Sequence, residues 1–136
     1  MAQTISNGIK PLLEQANSVV QTMSIEDAAE RFNNTDYVFV DLRDIREIHR
    51  SGKIPGAFSC PRGMLEFWID PESPYHKDVF NQDKTYVFYC ASAWRSALSA
   101  QTAQNMGLAP VFHLDGGFTA WSKADLPIEE HAKKPK

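Results

Sequence analysis

Cysteine is scarce in this chain. There are two, Cys60 and Cys90, and neither sits at a zinc-binding interval from the other or from His49, His76, His113 or His131. That spacing excludes a zinc finger or ribbon. An excess of positive charge is also missing: 14 Lys and Arg face 17 Asp and Glu, a net charge of −3. This argues against nucleic acid or an anionic membrane surface as the main partner. No apolar run approaches the ~20 residues needed to span a bilayer. The N-terminus lacks the basic start and apolar stretch of a signal peptide. There is no internal repeat and no low-complexity segment. The expectation is a cytoplasmic protein with no metal or other cofactor, since a working thiol suits a reducing compartment.

The chain's 136 residues suit one domain, and 43% of them are hydrophobic, enough to bury a core without disulfides or metal. Residues 1–17 read as an N-terminal extension with a short helix over Pro11–Asn17. Residues 18–127 read as the folded domain, and residues 128–136 as a solvated tail. Within the domain, strands are expected over Val19–Thr22, Tyr37–Val40, Ala57–Cys60, Thr85–Tyr89 and Pro110–Leu114. Helices are expected over Ile25–Phe32, capped by Ser24, and over Asp44–Arg50, Met64–Ile69, Arg95–Met106 and Phe118–Lys123, with Gly107 stopping the fourth.

Strands and helices alternate, and the strands are apolar without polar alternation. Both features imply a central, mostly parallel five-stranded sheet with helices on both faces, an α/β fold. Ligands of such sheets gather at the carboxyl ends of the strands. Here those ends are Asp41–Arg43, Pro61–Gly63, Cys90–Ser96 and Asp115–Gly117.

The densest chemistry lies in Cys90-Ala91-Ser92-Ala93-Trp94-Arg95-Ser96. An apolar strand delivers a cysteine, small residues turn the chain, and an arginine opens a helix. Helix N-termini carry unpaired N–H groups and about half a positive charge. A thiol in that field beside a cation ionises more readily and becomes nucleophilic. Ala91, Ser92 and Ala93 are small enough to let amides converge on sulfur as an anion-binding nest. Arg95 adds a forked donor for oxyanions. An ordinary turn over a buried thiol is the plainer alternative.

This loop and its surroundings resemble the rhodanese-like sulfurtransferases. The matching elements are Asp41-Leu42-Arg43, Gly52-Lys53-Ile54-Pro55-Gly56-Ala57, Cys90 to Ser96, and Leu114-Asp115-Gly116-Gly117 followed by Trp121, in order across residues 18–127. The resemblance implies a single-domain rhodanese-like fold and a sulfur relay. Cys90 would take the outer sulfur of a small donor anion such as thiosulfate, hold it as a persulfide, and pass it to cyanide, a cellular thiol or an acceptor protein. Residues 91–96 would bind the donor through their amides, with Arg95 orienting its sulfonate and holding the loop. Asp41, Arg43, Gly116 and Gly117 would shape the rim. Two positions depart from the family pattern: Lys53 where members often carry His, and Ala93 where they often carry glycine. Ala93 is strained if that position needs positive φ.

Several residues keep two readings. Asp41 and Arg43 are either a surface ion pair or a rim brace. Arg62 either meets the donor or faces solvent, and Trp94 is a lid or a partner contact. Cys60 and His113 read as buried core residues. Two rival functions also stand. One is a cysteine-dependent phosphatase or arsenate reductase, whose loop is one residue longer to cradle a tetrahedral phosphate. The other is a non-catalytic or sulfur-relay partner domain of the same fold. Oligomeric state is open.

Overall fold

The computed structural model describes residues 2–131. Five strands form one parallel sheet in the order β1-β5-β4-β2-β3: β1 is Gln21–Met23, β2 Tyr37–Asp41, β3 Phe58–Ser59, β4 Thr85–Tyr89 and β5 Val111–Leu114. The strand ending at Cys90 is therefore the middle one, paired on both sides, with Asp41 opposite Tyr89.

Alternation along the strands divides the core. Tyr86 and Phe88 face one side, where Val40, Leu65, Ile69, Ala100 and Ala103 pack with them. Val87 and Tyr89 face the other, against Ala28, Phe118 and Trp121. Helices α4 (Leu65–Ile69) and α5 (Trp94–Met106) thus cover the first face, and α2 (Ile25–Arg31) and α6 (Gly117–Lys123) the second. Apolar burial on both sides explains why the inner strands β2 and β4 do not alternate with polar residues, whereas the edge strand β1 exposes Gln21 and Thr22. Local signals set the helix ends. The Asp27 amide donates to Ser24 Oγ at the start of α2. Helix α3 (Ile45–Ser51) opens on a full capping box between Asp44 and Glu47. Helix α5 ends at Gly107, whose φ of 106° is left-handed.

Two expectations at the chain ends need correcting. The leading helix α1 runs from Ile9 to Val19, longer than expected, because Pro11 falls in its first turn, where no N–H partner is lost. Its Leu13 and Ala16 pack on Ala97 and Leu98 of α5, so the extension is docked on the domain, and β1 starts later, at Gln21. At the other end, residues 128–131 do not float free. Glu129 and Lys53 exchange backbone hydrogen bonds of 2.8 and 2.9 Å, and Glu129 Oε1 accepts from the Gly56 amide at 2.9 Å. The open backbone groups around the Gly52–Gly56 turn give the segment something to bind. Lys53 Nζ donates to the Ala57 carbonyl at 2.9 Å and pairs with Glu129. The remainder of the expected tail lies outside the described residues.

Candidate functional site

The rim is braced from below by a buried ion pair. Asp41 closes β2 at 0% exposure, and Arg43 is 2% exposed. The guanidinium donates through Nε to Oδ1 at 2.9 Å and through Nη2 to Oδ2 at 2.7 Å, a forked pairing. Its remaining capacity goes to Ser51 Oγ and the Gly52 carbonyl, and it stacks 4.3 Å from the Phe118 ring centre. Burial works against its charge, but the hydrogen bond and charge of Asp41 prevail and hold its pKa above the ordinary value. The surface-pair reading is thus overturned: the pair is interior and joins the ends of β2 and α3 to α6.

Cys90 follows β4 and is 1% exposed. The Ala93 amide donates to its Sγ at 3.2 Å. Ala93 itself takes the left-handed φ 94°, ψ −2°, which turns the chain from the loop into α5. The strain expected for a side chain there is therefore real. Helix α6 shapes the loop from outside. The Phe118 and Thr119 amides donate to the carbonyls of Cys90 and Ala91 at 2.8 and 3.0 Å. In a trans peptide the N–H points opposite to its C=O, so the amides of Ala91 and Ser92 are directed away from α6. Gly117 makes this approach feasible. A Cβ there would lie 2.5 Å from the Cys90 carbonyl oxygen and 2.7 Å from that of Ala91. Gly116, also at positive φ, precedes it as the helix cap.

The first helix-type bond of α5 is Ala97 N–H to the Ala93 carbonyl at 3.1 Å. The amides of Trp94, Arg95 and Ser96 precede it and have no backbone acceptor, as expected for a helix start. Trp94 is 56% exposed at the mouth, and Ser92 is exposed beside it. Ser96 is buried, its hydroxyl turned to His113 in the core.

Arg95 is held by a partner that the sequence did not point to. Its Nη1 and Nη2 each donate to a different carboxylate oxygen of Glu47, both at 2.9 Å. The Glu47 hydrogen bond raises its pKa first of all, with smaller contributions of the same sign from the Cys90 sulfur. Glu47 was missed in the sequence, where it reads only as a helix-capping residue. Arg62 is not brought to the loop. Its guanidinium meets Glu66 at 2.8 Å and Thr102 at 3.5 Å. A groove of about 470 Å³ runs beside the loop, lined by Arg43, Glu47, Arg50, Ala91, Thr119 and Lys123 among others. Among the described residues no cluster of three or more His, Cys, Asp or Glu is arranged to hold a metal ion. No helix there is long and apolar enough to cross a membrane.

A parallel sheet with a cysteine loop on its middle strand can be set beside known proteins. The family model for the rhodanese-like domain matches residues 24–124. This chain belongs to that family. An uncharacterized Synechocystis protein is 37% identical over 98 residues, 72% of this chain and 50% of its own length. The thiosulfate sulfurtransferase GlpE of Glaesserella parasuis is 28% identical over 104 residues, 76% of this chain and 88% of its own. This rhodanese-like chain therefore spans half the length of the first relative and most of the second. Among solved structures, a Rhodopseudomonas palustris protein of unknown function, a possible tyrosine phosphatase, superposes with a TM-score of 0.92 at 59% identity, covering 95% of this chain and 99% of its own.

Proposed function

We propose that this rhodanese-like domain is a sulfurtransferase that moves a sulfane sulfur from a donor such as thiosulfate to cyanide or a thiol, through a persulfide on Cys90. The reading is carried by one observation: four residues separate Cys90 from Arg95, and within that span the Ala93 N–H reaches the thiol sulfur. The ring is short and fits a sulfur atom.

The first step is attack of the Cys90 thiolate on the outer sulfur of thiosulfate. A new S–S bond forms, the donor's S–S bond breaks, and sulfite leaves with the electron pair. The second step is attack of cyanide or a thiolate on the outer persulfide sulfur. Thiocyanate or a new persulfide departs, and the Cys90 thiolate is restored. This divided reaction predicts ping-pong kinetics. The unpaired amides of Trp94, Arg95 and Ser96, with that of Ala93, supply fixed donors for charge developing on sulfur. Arg95 contributes by holding the loop through Glu47 rather than as a free hand for the donor. Ala91 and Ser92 form the near wall, and Trp94 flanks the entrance, where an acceptor protein or a small thiol would arrive. A reducing compartment such as the cytoplasm keeps the thiol available.

A phosphatase is the second reading, favoured by the Rhodopseudomonas palustris relative. It is weakened by the shorter loop and by Arg95, whose terminal nitrogens are already matched to a carboxylate. Phosphate recognition of that kind needs a free guanidinium fork. The test is a mass spectrum after thiosulfate treatment, run beside thiocyanate formation and aryl phosphate hydrolysis. A gain of one sulfur atom on Cys90, lost in Cys90→Ser with the fold intact, is expected. Aryl phosphate hydrolysis without sulfur loading would reverse the assignment.

A further inference from the structure

One buried group is hydrogen-bonded to the end of the loop without touching Cys90. His113 on β5 is 4% exposed. Its Nδ1 lies 3.2 Å from Ser96 Oγ and its Nε2 3.1 Å from Thr22 Oγ1. Thr22 is its register partner on β1 and is exposed, whereas Ser96 is fully buried at the start of α5. A neutral imidazole offers one donor and one acceptor, and each hydroxyl can serve either way, so the row is satisfied in both tautomers. Burial lowers the pKa of the ring and favours its neutral form, opposed by the charge of Asp115.

Ser96 carries two roles on one residue. Its amide is among the unpaired donors of the first turn of α5, and its side chain is anchored in the core. A serine hydroxyl inside a helix has an alternative, a bond to a carbonyl one turn back, which bends the helix. Ser99, one turn on, makes that bond, to the Arg95 carbonyl at 2.6 Å. If Ser96 did the same it would draw on the carbonyl of Ser92, inside the loop. With His113 gone and no such bond, its hydroxyl would be buried without a partner, which is costly.

We propose that His113 is a positioning residue for the sulfur cradle: by holding Ser96 Oγ it fixes the first turn of α5, and with it the loop whose Ala93 amide reaches Cys90 Sγ. The inference rests on the reading of Cys90 as the working thiolate. It is asymmetric by construction. Water can replace His113 at the exposed Thr22, but at the buried Ser96 the alternative is the Ser92 carbonyl, which would disturb the loop.

The experiment measures the pH profile of Cys90 alkylation by iodoacetamide in the full chain, for the wild type and three variants. Burial pushes the Cys60 thiol up to about 12, so it stays silent, and peptide mass mapping assigns the label. His113→Asn keeps a polar atom near the Nδ1 position, His113→Gln near the Nε2 position, and His113→Leu neither. The expected result is an alkylation midpoint raised by roughly one pH unit in the Leu and Gln variants. The Asn variant should stay near wild type, although all three lose thermal stability. Coincident Leu and wild-type profiles, or equal shifts for Asn and Gln, would overturn the proposal and leave His113 as core filling. If the Leu variant does not fold, the Asn and Gln pair decides alone. The readout needs no sulfur transfer. Failure of the wild type to load sulfur from thiosulfate would instead sink the proposed function and leave this comparison standing.

Discussion

Arg95 and Glu47 face each other fork to fork, two hydrogen bonds of 2.9 Å joining the loop after β4 to the first turn of α3. The same Glu47 carboxylate accepts from the Asp44 amide at 2.9 Å, closing the capping box of α3. One side chain therefore caps the start of a helix and tethers a loop. Glu47→Gln retains the shape and the cap but removes the charge. The pair is partly exposed, so the expected loss of unfolding free energy is about 1 kcal/mol, read by urea titration at pH 7. A loosened loop should lower kcat/KM for thiosulfate roughly tenfold, equivalent to about 1.4 kcal/mol of transition-state stabilisation. An unchanged kcat/KM would mean that the loop keeps its shape without the tether.

The same pair has an acid limb. The hydrogen bond from Arg95 holds the Glu47 carboxyl below its ordinary 4.5, opposed by partial burial and helped by the Asp44 amide. A carboxyl with a depressed folded-state pKa adds stability that is whole above its unfolded value and is lost as pH falls through the folded one. The wild type should thus exceed Glu47→Gln in stability above pH 4.5, and the two should converge below it. The other carboxyls held low, those of Asp44, Glu66 and Glu129, are common to both proteins and cancel in the difference. Urea midpoints across the acid range read it directly, and parallel curves would show that the pair adds nothing.

What could be read from the residues alone, and what could not, divides by range. The apolar run Tyr86–Tyr89 followed by Cys90 and small residues marked the middle strand and its loop, because strand, turn and helix start are local patterns. The left-handed conformation at Ala93 was signalled by the resemblance alone, whose members often carry glycine there. Glu47 was not: its spacing from Asp44 explains it fully as a cap, and nothing local points 48 residues on to Arg95. Arg62 had two readings, and its neighbours separate them. It stands four residues before Glu66, a helical ion-pair spacing, and the pair it makes draws it off the rim. The depth of Asp41 and Arg43 was hidden because two charges two residues apart in sequence say nothing of the Phe118 ring that covers Arg43.

Removing one partner of that interior pair should be severe. Arg43→Met leaves the Asp41 carboxylate buried and unpaired, with the Gly52 carbonyl and Ser51 hydroxyl freed as well. The expected loss is about 3–5 kcal/mol. Combining it with Asp41→Asn removes the stranded charge and should recover part of that loss. A thermal or urea series of the wild type, the single variant and the double variant decides. A double variant no better than the single one would place the cost in the lost Ser51 and Gly52 contacts.

Ala93→Gly sets two effects against each other. A non-glycine residue in the left-handed region carries roughly 1–2 kcal/mol of strain, which glycine releases. Glycine also widens the unfolded ensemble, which opposes folding by about 0.4–1 kcal/mol. Strain wins by the larger margin, so the variant should be about 0.5–1 kcal/mol more stable. Its loop should be more mobile, because glycine no longer enforces one conformation. Urea denaturation checks the first claim, and a destabilised variant would mean that Ala93 makes packing contacts worth more than the strain.

Gly117→Ala tests the wall of the cradle. The added methyl would sit 2.5 and 2.7 Å from the Cys90 and Ala91 carbonyl oxygens, and Gly117 has φ 62°. Those contacts are backbone, which cannot rotate away as a flexible side chain can. Either α6 must retreat or the loop carbonyls must turn. Turning them brings the Ala91 and Ser92 amides round toward α6 and breaks the bonds from the Phe118 and Thr119 amides. The expected destabilisation is about 2–4 kcal/mol, the sum of left-handed strain and steric displacement. Sulfur loading of Cys90 from thiosulfate should fall further than in any variant with the same loss of stability placed elsewhere, such as Ala28→Gly in α2 on the same face of the sheet. Equal loading in two variants matched for stability would show that the α6 contact serves only the fold.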